Sequence, residues 1–168
     1  LNSLEGNRSL SYAELADELA AYAHDMGFTH LELLPVMEHP FSGSWGYQVT
    51  GFFAPSARYG APEDFKAFVD ACHQRGLAVI LDVVYNHIGD EDSSFFHFDE
   101  RPDGTGDSYL GDHPSYRTDW GTAPAFWRPG IRDFFVSNME MYLREYNGDG
   151  LRFDSTRSRL NPNMPLTF

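Results

Sequence analysis

Residues 77–85, Leu-Ala-Val-Ile-Leu-Asp-Val-Val-Tyr, form an almost unbroken apolar run that ends in Asn86-His87. The run has strand length, and being apolar at both alternating positions it suits a parallel strand covered on both faces. Thr29 to Pro35 reads as an earlier buried strand ended by its proline, and Gly150 to Asp154 as a later one. Helical patterns precede each of the three. Ser11-Tyr12-Ala13-Glu14 has the spacing of a capping box and leads into a stripe of Tyr12, Leu15, Ala16, Leu19, Tyr22, Ala23 and Met26, with Gly27 placed to end the helix. Pro62-Glu63-Asp64 opens a second helix whose inner face is Phe65, Phe68, Val69 and Cys72, stopped by Gly76. Ile131, Phe134, Phe135, Met141 and Tyr142 mark a third. Helix–strand repeated three times predicts an α/β fold with parallel strands joined by right-handed crossovers.

Two of the runs end in chemically capable side chains, which is how parallel strands deliver groups to the carboxyl edge of a sheet or barrel. Along a strand, side chains two apart share a face, so Arg152 and Asp154 point the same way. A guanidinium beside a carboxylate keeps that carboxylate ionised at neutral pH, which suits a nucleophile. The same pair also reads as a buried structural ion pair, His87 as a satisfied buried histidine, and Tyr47 as loop packing.

Bulk properties narrow the partners. A net charge of −13 disfavours nucleic acid and anionic membrane surfaces, and leaves a neutral polysaccharide unpenalised. No apolar run approaches the roughly twenty residues of a membrane span. Cys72 is the only cysteine, so no internal disulfide forms and a reducing, cytoplasmic compartment is expected. With 168 residues, a single domain is expected, carrying long loops at 36–60 and 86–130. Phe95, Phe96, Phe98, Tyr109, Trp120, Phe126 and Trp127 interrupt the second loop, which therefore reads as an ordered excursion above the sheet. Core packing accounts for most of the 14 Phe.

Asp82 to His87 and Gly150 to Asp154 resemble the first two signature regions of the α-amylase superfamily, glycoside hydrolase family thirteen. The block Glu38 to Pro55, with Arg58-Tyr59-Gly60 and the opening Glu5 to Tyr12, is similar to the 1,4-α-glucan (glycogen) branching enzymes. The resemblance covers residues 5–160 and implies part of a (β/α)8 TIM barrel, from the first barrel helix to the fourth strand. It implies an α-1,4-glucan substrate, cleaved and rejoined as α-1,6 branches. Asp154 matches the nucleophile and Arg152 the arginine that orients it. Asp82 matches an aspartate that braces this arginine, His87 a histidine that donates to the sugar's hydroxyls, and Tyr47 a tyrosine stacked under the sugar. Trp45 joins the substrate-binding group on the same grounds. No cofactor is expected. Asn86, followed by Asp90, Glu91 and Asp92, is a calcium candidate by likeness to many amylases, though the run lacks the alternating pattern of a known calcium loop.

The resemblance puts the general acid glutamate on the fifth strand and a further aspartate on the seventh, both after Phe168, while Glu140 and Glu145 fall within the third helix. An internal barrel segment, inactive and self-associating when isolated, is the expectation. Ser155-Thr156-Arg157 and the acidic loop depart from common bacterial branching enzymes. An α-amylase-type or malto-oligosyltrehalose-type hydrolase, and a non-catalytic glucan-binding scaffold, stand as alternatives.

Overall fold

A computed structural model describes residues 8–89, 95, 109–110 and 117–156. The acidic run 90–92, Phe96, Phe98 and residues 157–160 of the sequence reading lie outside the described residues. The α-helices and strands whose bounds fall among the described residues follow in the order α1 (Tyr12–Asp25), β1 (His30–Leu33), β2 (Met37–Glu38), β3 (Gly51–Pro55), α2 (Pro62–Gln74), β4 (Ala78–Val83), β5 (Arg117–Thr118), β6 (Gly121–Thr122), α3 (Pro129–Arg144) and β7 (Gly150–Phe153).

The central sheet is parallel, in the order β1-β4-β7, as the repeated helix–strand pattern requires. Leu33 pairs with Leu81, Leu81 with Leu151, and Asp82 with Arg152. The middle strand buries Val79, Leu81 and Val83, and leaves Ala78 and Ile80 partly exposed. β1 departs from expectation. Its burial alternates exposed and half-buried, because it is an edge strand paired on one side only among the described residues.

Both ends of α1 follow its sequence. The Ser11 hydroxyl accepts from the Glu14 amide at 3.2 Å, and Glu14 accepts from the Ser11 amide at 2.8 Å, completing the capping box. Its stripe is narrower than expected, however. Tyr12, Ala20 and Ala23 are buried, whereas Tyr22 and Met26 stand exposed. α2 matches its sequence reading: Phe65, Phe68, Val69 and Cys72 are all buried.

The 36–60 segment is more than a loop. β2 and β3 pair antiparallel across it, and β3 carries Phe52 into the core. Phe52 is ringed by Tyr85, Phe95, Phe134 and Phe135 at centroid separations of 5.2–6.3 Å. Buried Asn138 of α3 fastens this layer, donating to the Phe52 carbonyl and accepting from the Tyr85 hydroxyl, both at 2.7 Å. The excursion after β4 returns as the β5–β6 hairpin, seated on Ile88 through paired backbone hydrogen bonds to Thr122 at 2.9 and 3.2 Å. No helix among the described residues is long and apolar enough to cross a membrane.

Candidate active site

The register that pairs Asp82 with Arg152 places the two side chains side by side at the carboxyl ends of β4 and β7. Arg152 Nη1 donates to Asp82 Oδ2 at 2.6 Å and lies 2.9 Å from Asp154 Oδ1. Asp154 itself falls one residue past β7, in a turn, where its amide still donates to the Val83 carbonyl at 3.0 Å. Two carboxylates thus share one guanidinium. The Asp82 hydrogen bond raises the Arg152 pKa beyond its ordinary value, with the charges of Asp82 and Asp154 adding to it and partial desolvation opposing it.

Asp82 is buried, with its Oδ2 also accepting from the Tyr47 hydroxyl at 2.7 Å. Its Oδ1 has no donor among the described residues. Burial first, and the hydrogen bond to Asp82 second, push the Tyr47 pKa up to about 12. That hydroxyl remains a donor throughout the neutral range. His87 is buried, with Nδ1 3.2 Å from Asn86 Nδ2 and its ring 6.1 Å from that of Trp120.

These groups open on a cavity of about 470 Å³, inside the range of small-ligand sites. Tyr47, His87 and Asp154 line it, with Phe41, Gln48 and Trp120. Among the described residues, Asp154 is the only carboxylate in that lining. Three motifs far apart in sequence therefore meet at one end of the sheet. Trp45 does not join them. It sits at the end of a short turn with φ 56 and is 71% exposed, outside the cavity lining. Gly46 follows it at φ 90, where a Cβ would come within 2.3 Å of the Pro35 carbonyl oxygen. Through this tight reversal the chain passes from exposed Trp45 to Tyr47 on the cavity lining.

Sequence reasoning missed Phe41 and Gln48 as lining residues, although both stand in the quoted 38–55 block, and it named Trp120 only as a loop aromatic. Phe41 beside Pro40 and ahead of Ser-Gly-Ser, an aromatic at the start of a turn in a long loop, was the available signal. Among the described residues no three of His, Cys, Asp or Glu gather as metal ligands. Asn86 instead has its amide beside His87, and the acidic residues 90–92 lie outside the described part.

A family profile described as the alpha amylase catalytic domain matches residues 15–147. The chain belongs to the alpha amylase catalytic-domain family. Within that family it is 50% identical over 161 residues to the 1,4-alpha-glucan branching enzyme GlgB of a Bradyrhizobium species, an alignment covering 93% of this chain and 22% of that relative. The 1,4-alpha-glucan branching enzyme GlgB of Aquifex aeolicus is 46% identical, covering 93% and 24%. A Salmonella typhimurium protein provisionally named an alpha amylase has a crystal structure that superposes with a TM-score of 0.69 at 32% identity, covering 85% of this chain and 23% of that one. The chain spans under a quarter of the length of each of these relatives. As an alpha amylase catalytic-domain chain, it holds part of a (β/α)8 barrel, with three parallel strands of it among the described residues.

Proposed function

We propose that the protein carrying this chain is a retaining α-glucan transglycosylase of the branching type. It cuts an α-1,4 link and re-forms the bond to a 6-hydroxyl. The observation that carries the reading is the Asp82–Arg152–Asp154 chain of charges at the strand ends, open to a cavity shared with Tyr47 and His87.

In the first step a carboxylate oxygen of Asp154 attacks the anomeric carbon. The C1–O4 bond breaks, and the departing oxygen takes a proton from a general acid. By the family pattern that acid is a glutamate of the fifth strand, about 5–5.5 Å from the nucleophile in retaining enzymes. In the second step the 6-hydroxyl of an acceptor chain attacks the same carbon, returns a proton to that glutamate, and frees Asp154. Arg152 holds the nucleophile in place and Asp82 holds Arg152. The Tyr47 and Trp120 rings offer apolar faces to glucosyl rings, and His87 offers a ring nitrogen to a hydroxyl. The reaction runs on side chains alone. The same proposal places the protein in the cytoplasm, which suits a chain whose single cysteine is buried and unbridged.

Transfer rather than hydrolysis rests on the relatives at 46–50% identity, named branching enzymes. The hydrolytic reading draws on the Salmonella protein's name. Amylose incubated with the intact protein distinguishes the two. Branching yields α-1,6 linkages, read by proton NMR, with little gain in reducing ends. A reducing-end signal that climbs steadily with no new linkage sinks the transfer reading in favour of hydrolysis.

A further inference from the structure

Phe41 is an exposed large apolar side chain, 53% accessible, on the lining of the cavity that holds Asp154. An aromatic ring left half in water is an ordinary surface feature when it is free to move. This one lies against Gly43. A Cβ built on Gly43 would sit 2.4 Å from Phe41 Cζ and 2.9 Å from each Cε, so the ring occupies the space that a side chain at position 43 would need. Gly43 is not among the positive-φ glycines, so its role there is room for the ring rather than an unusual backbone.

The backbone under the ring is pinned from both sides. The Phe41 carbonyl accepts from the Ser44 amide at 3.1 Å and from the Ser44 hydroxyl at 2.7 Å. Arg58 donates to the Pro40 carbonyl at 3.0 Å and to the Ser42 hydroxyl at 3.2 Å, so one guanidinium grips the residues before and after Phe41. Arg58 is itself paired with Glu38, whose carboxylate also accepts from the Ala57 and His39 amides at 2.9 Å. The whole device spans the base of the loop that supplies both Phe41 and Tyr47 to the cavity.

We infer that Phe41 is a substrate-positioning residue, an aromatic platform on a pinned turn at the cavity lip that takes a glucosyl ring of the α-glucan, with Gly43 and Arg58 holding that turn and leaving room for the ring. The inference rests on the glucan reading above. Pyranose rings present patches of C–H that stack on an aromatic face. A platform held in place before binding loses little side-chain freedom when the sugar arrives. The competing reading is that the ring only covers its own turn.

The test is maltoheptaose binding to the intact protein by calorimetry, together with steady-state kinetics on amylose. Phe41→Ala is expected to weaken maltoheptaose binding about tenfold, with the effect on KM for amylose exceeding that on kcat. Gly43→Ala keeps the ring but pushes it aside, and is expected to weaken binding by a similar factor. The double variant should bind no more weakly than Phe41→Ala, because no ring remains to be displaced. Phe41→Trp should restore most of the affinity, and Phe41→Leu, which keeps apolar bulk without a flat face, should not. Unchanged affinity in Phe41→Ala or Phe41→Leu overturns the platform while leaving the glucan reading standing. A Gly43→Ala penalty that adds in full to that of Phe41→Ala also overturns it, since Gly43 then acts on something other than the ring. Wild-type protein that binds no maltoheptaose overturns the glucan reading and the platform with it.

Discussion

At the amino-terminal rim of the sheet, Asp149 stands one residue before β7, accepts from the Val79 amide at 2.7 Å and pairs with His73 Nε2 at 2.8 Å. At the carboxyl-terminal rim, Asp82 and Asp154 compete for Arg152 beside a cavity. The two sites are built from the same strands and from similar chemistry. Asp149 fastens α2 to β4 and β7, and every contact it makes is one that folding itself satisfies. Its pKa falls below the ordinary carboxylate value: burial opposes the shift, and the Val79 amide and His73 outweigh it. The other rim is left unbalanced, with two carboxylates against one guanidinium and a buried Asp82 oxygen with no donor among the described residues. An ion pair on its own therefore says little about function. A charge imbalance facing an open space says much more.

That contrast breaks most sharply at Asp154. In the intact protein Asp154→Asn, nearly isosteric and uncharged, should lower kcat for glucan transfer at least about a thousandfold while leaving the thermal midpoint within about 2 °C. Activity above that residual level would make the carboxyl-terminal pair as structural as the amino-terminal one.

The opposite outcome is expected at the other rim. Asp149→Ala should leave glucan transfer intact and lower stability by about 1 kcal/mol in urea unfolding at neutral pH, since it removes the partner of the Val79 amide and of the His73 ring nitrogen. Because the folded pKa of Asp149 is depressed, its contribution is present above the unfolded carboxylate value of about 4 and is lost as pH falls through the lower folded value. The gap between wild type and variant should therefore close only below about pH 4. A gap that is constant down to pH 2, or absent at neutral pH, removes Asp149 from its fastening role.

The smallest expected effect is at Tyr47. Tyr47→Phe keeps the ring and deletes the 2.7 Å hydrogen bond to Asp82, so kcat/KM should fall about three- to tenfold. With its pKa near 12, Tyr47 stays protonated well above neutrality, and the ratio of wild type to variant should be flat from about pH 6 to 10. A ratio that bends within that window would show the hydroxyl titrating, and with it a weaker tie to Asp82.

The sequence by itself determined the alternation of helices and strands, the parallel sheet, the capping box at Ser11, the inner face of α2 and the shared face of Arg152 and Asp154. Each of these depends on residues near one another in the chain, where the periods of strand and helix decide which side chains lie together. Tertiary structure alone decided which members of those patterns matter. Tyr22 and Met26 continue the stripe of α1 yet stand in water, because burial depends on what packs opposite. Trp45 and Tyr47 share one aromatic loop, yet across the tight reversal at Gly46, packed against the Pro35 carbonyl, one stands in water and the other reaches Asp82, 35 positions along the chain. Asp149 and Asp154 both flank one short strand, and nothing local separates the fastener from the proposed nucleophile. Their surroundings come from α2, β4 and the loop at 41–48, brought together by a fold whose long-range contacts no local period encodes.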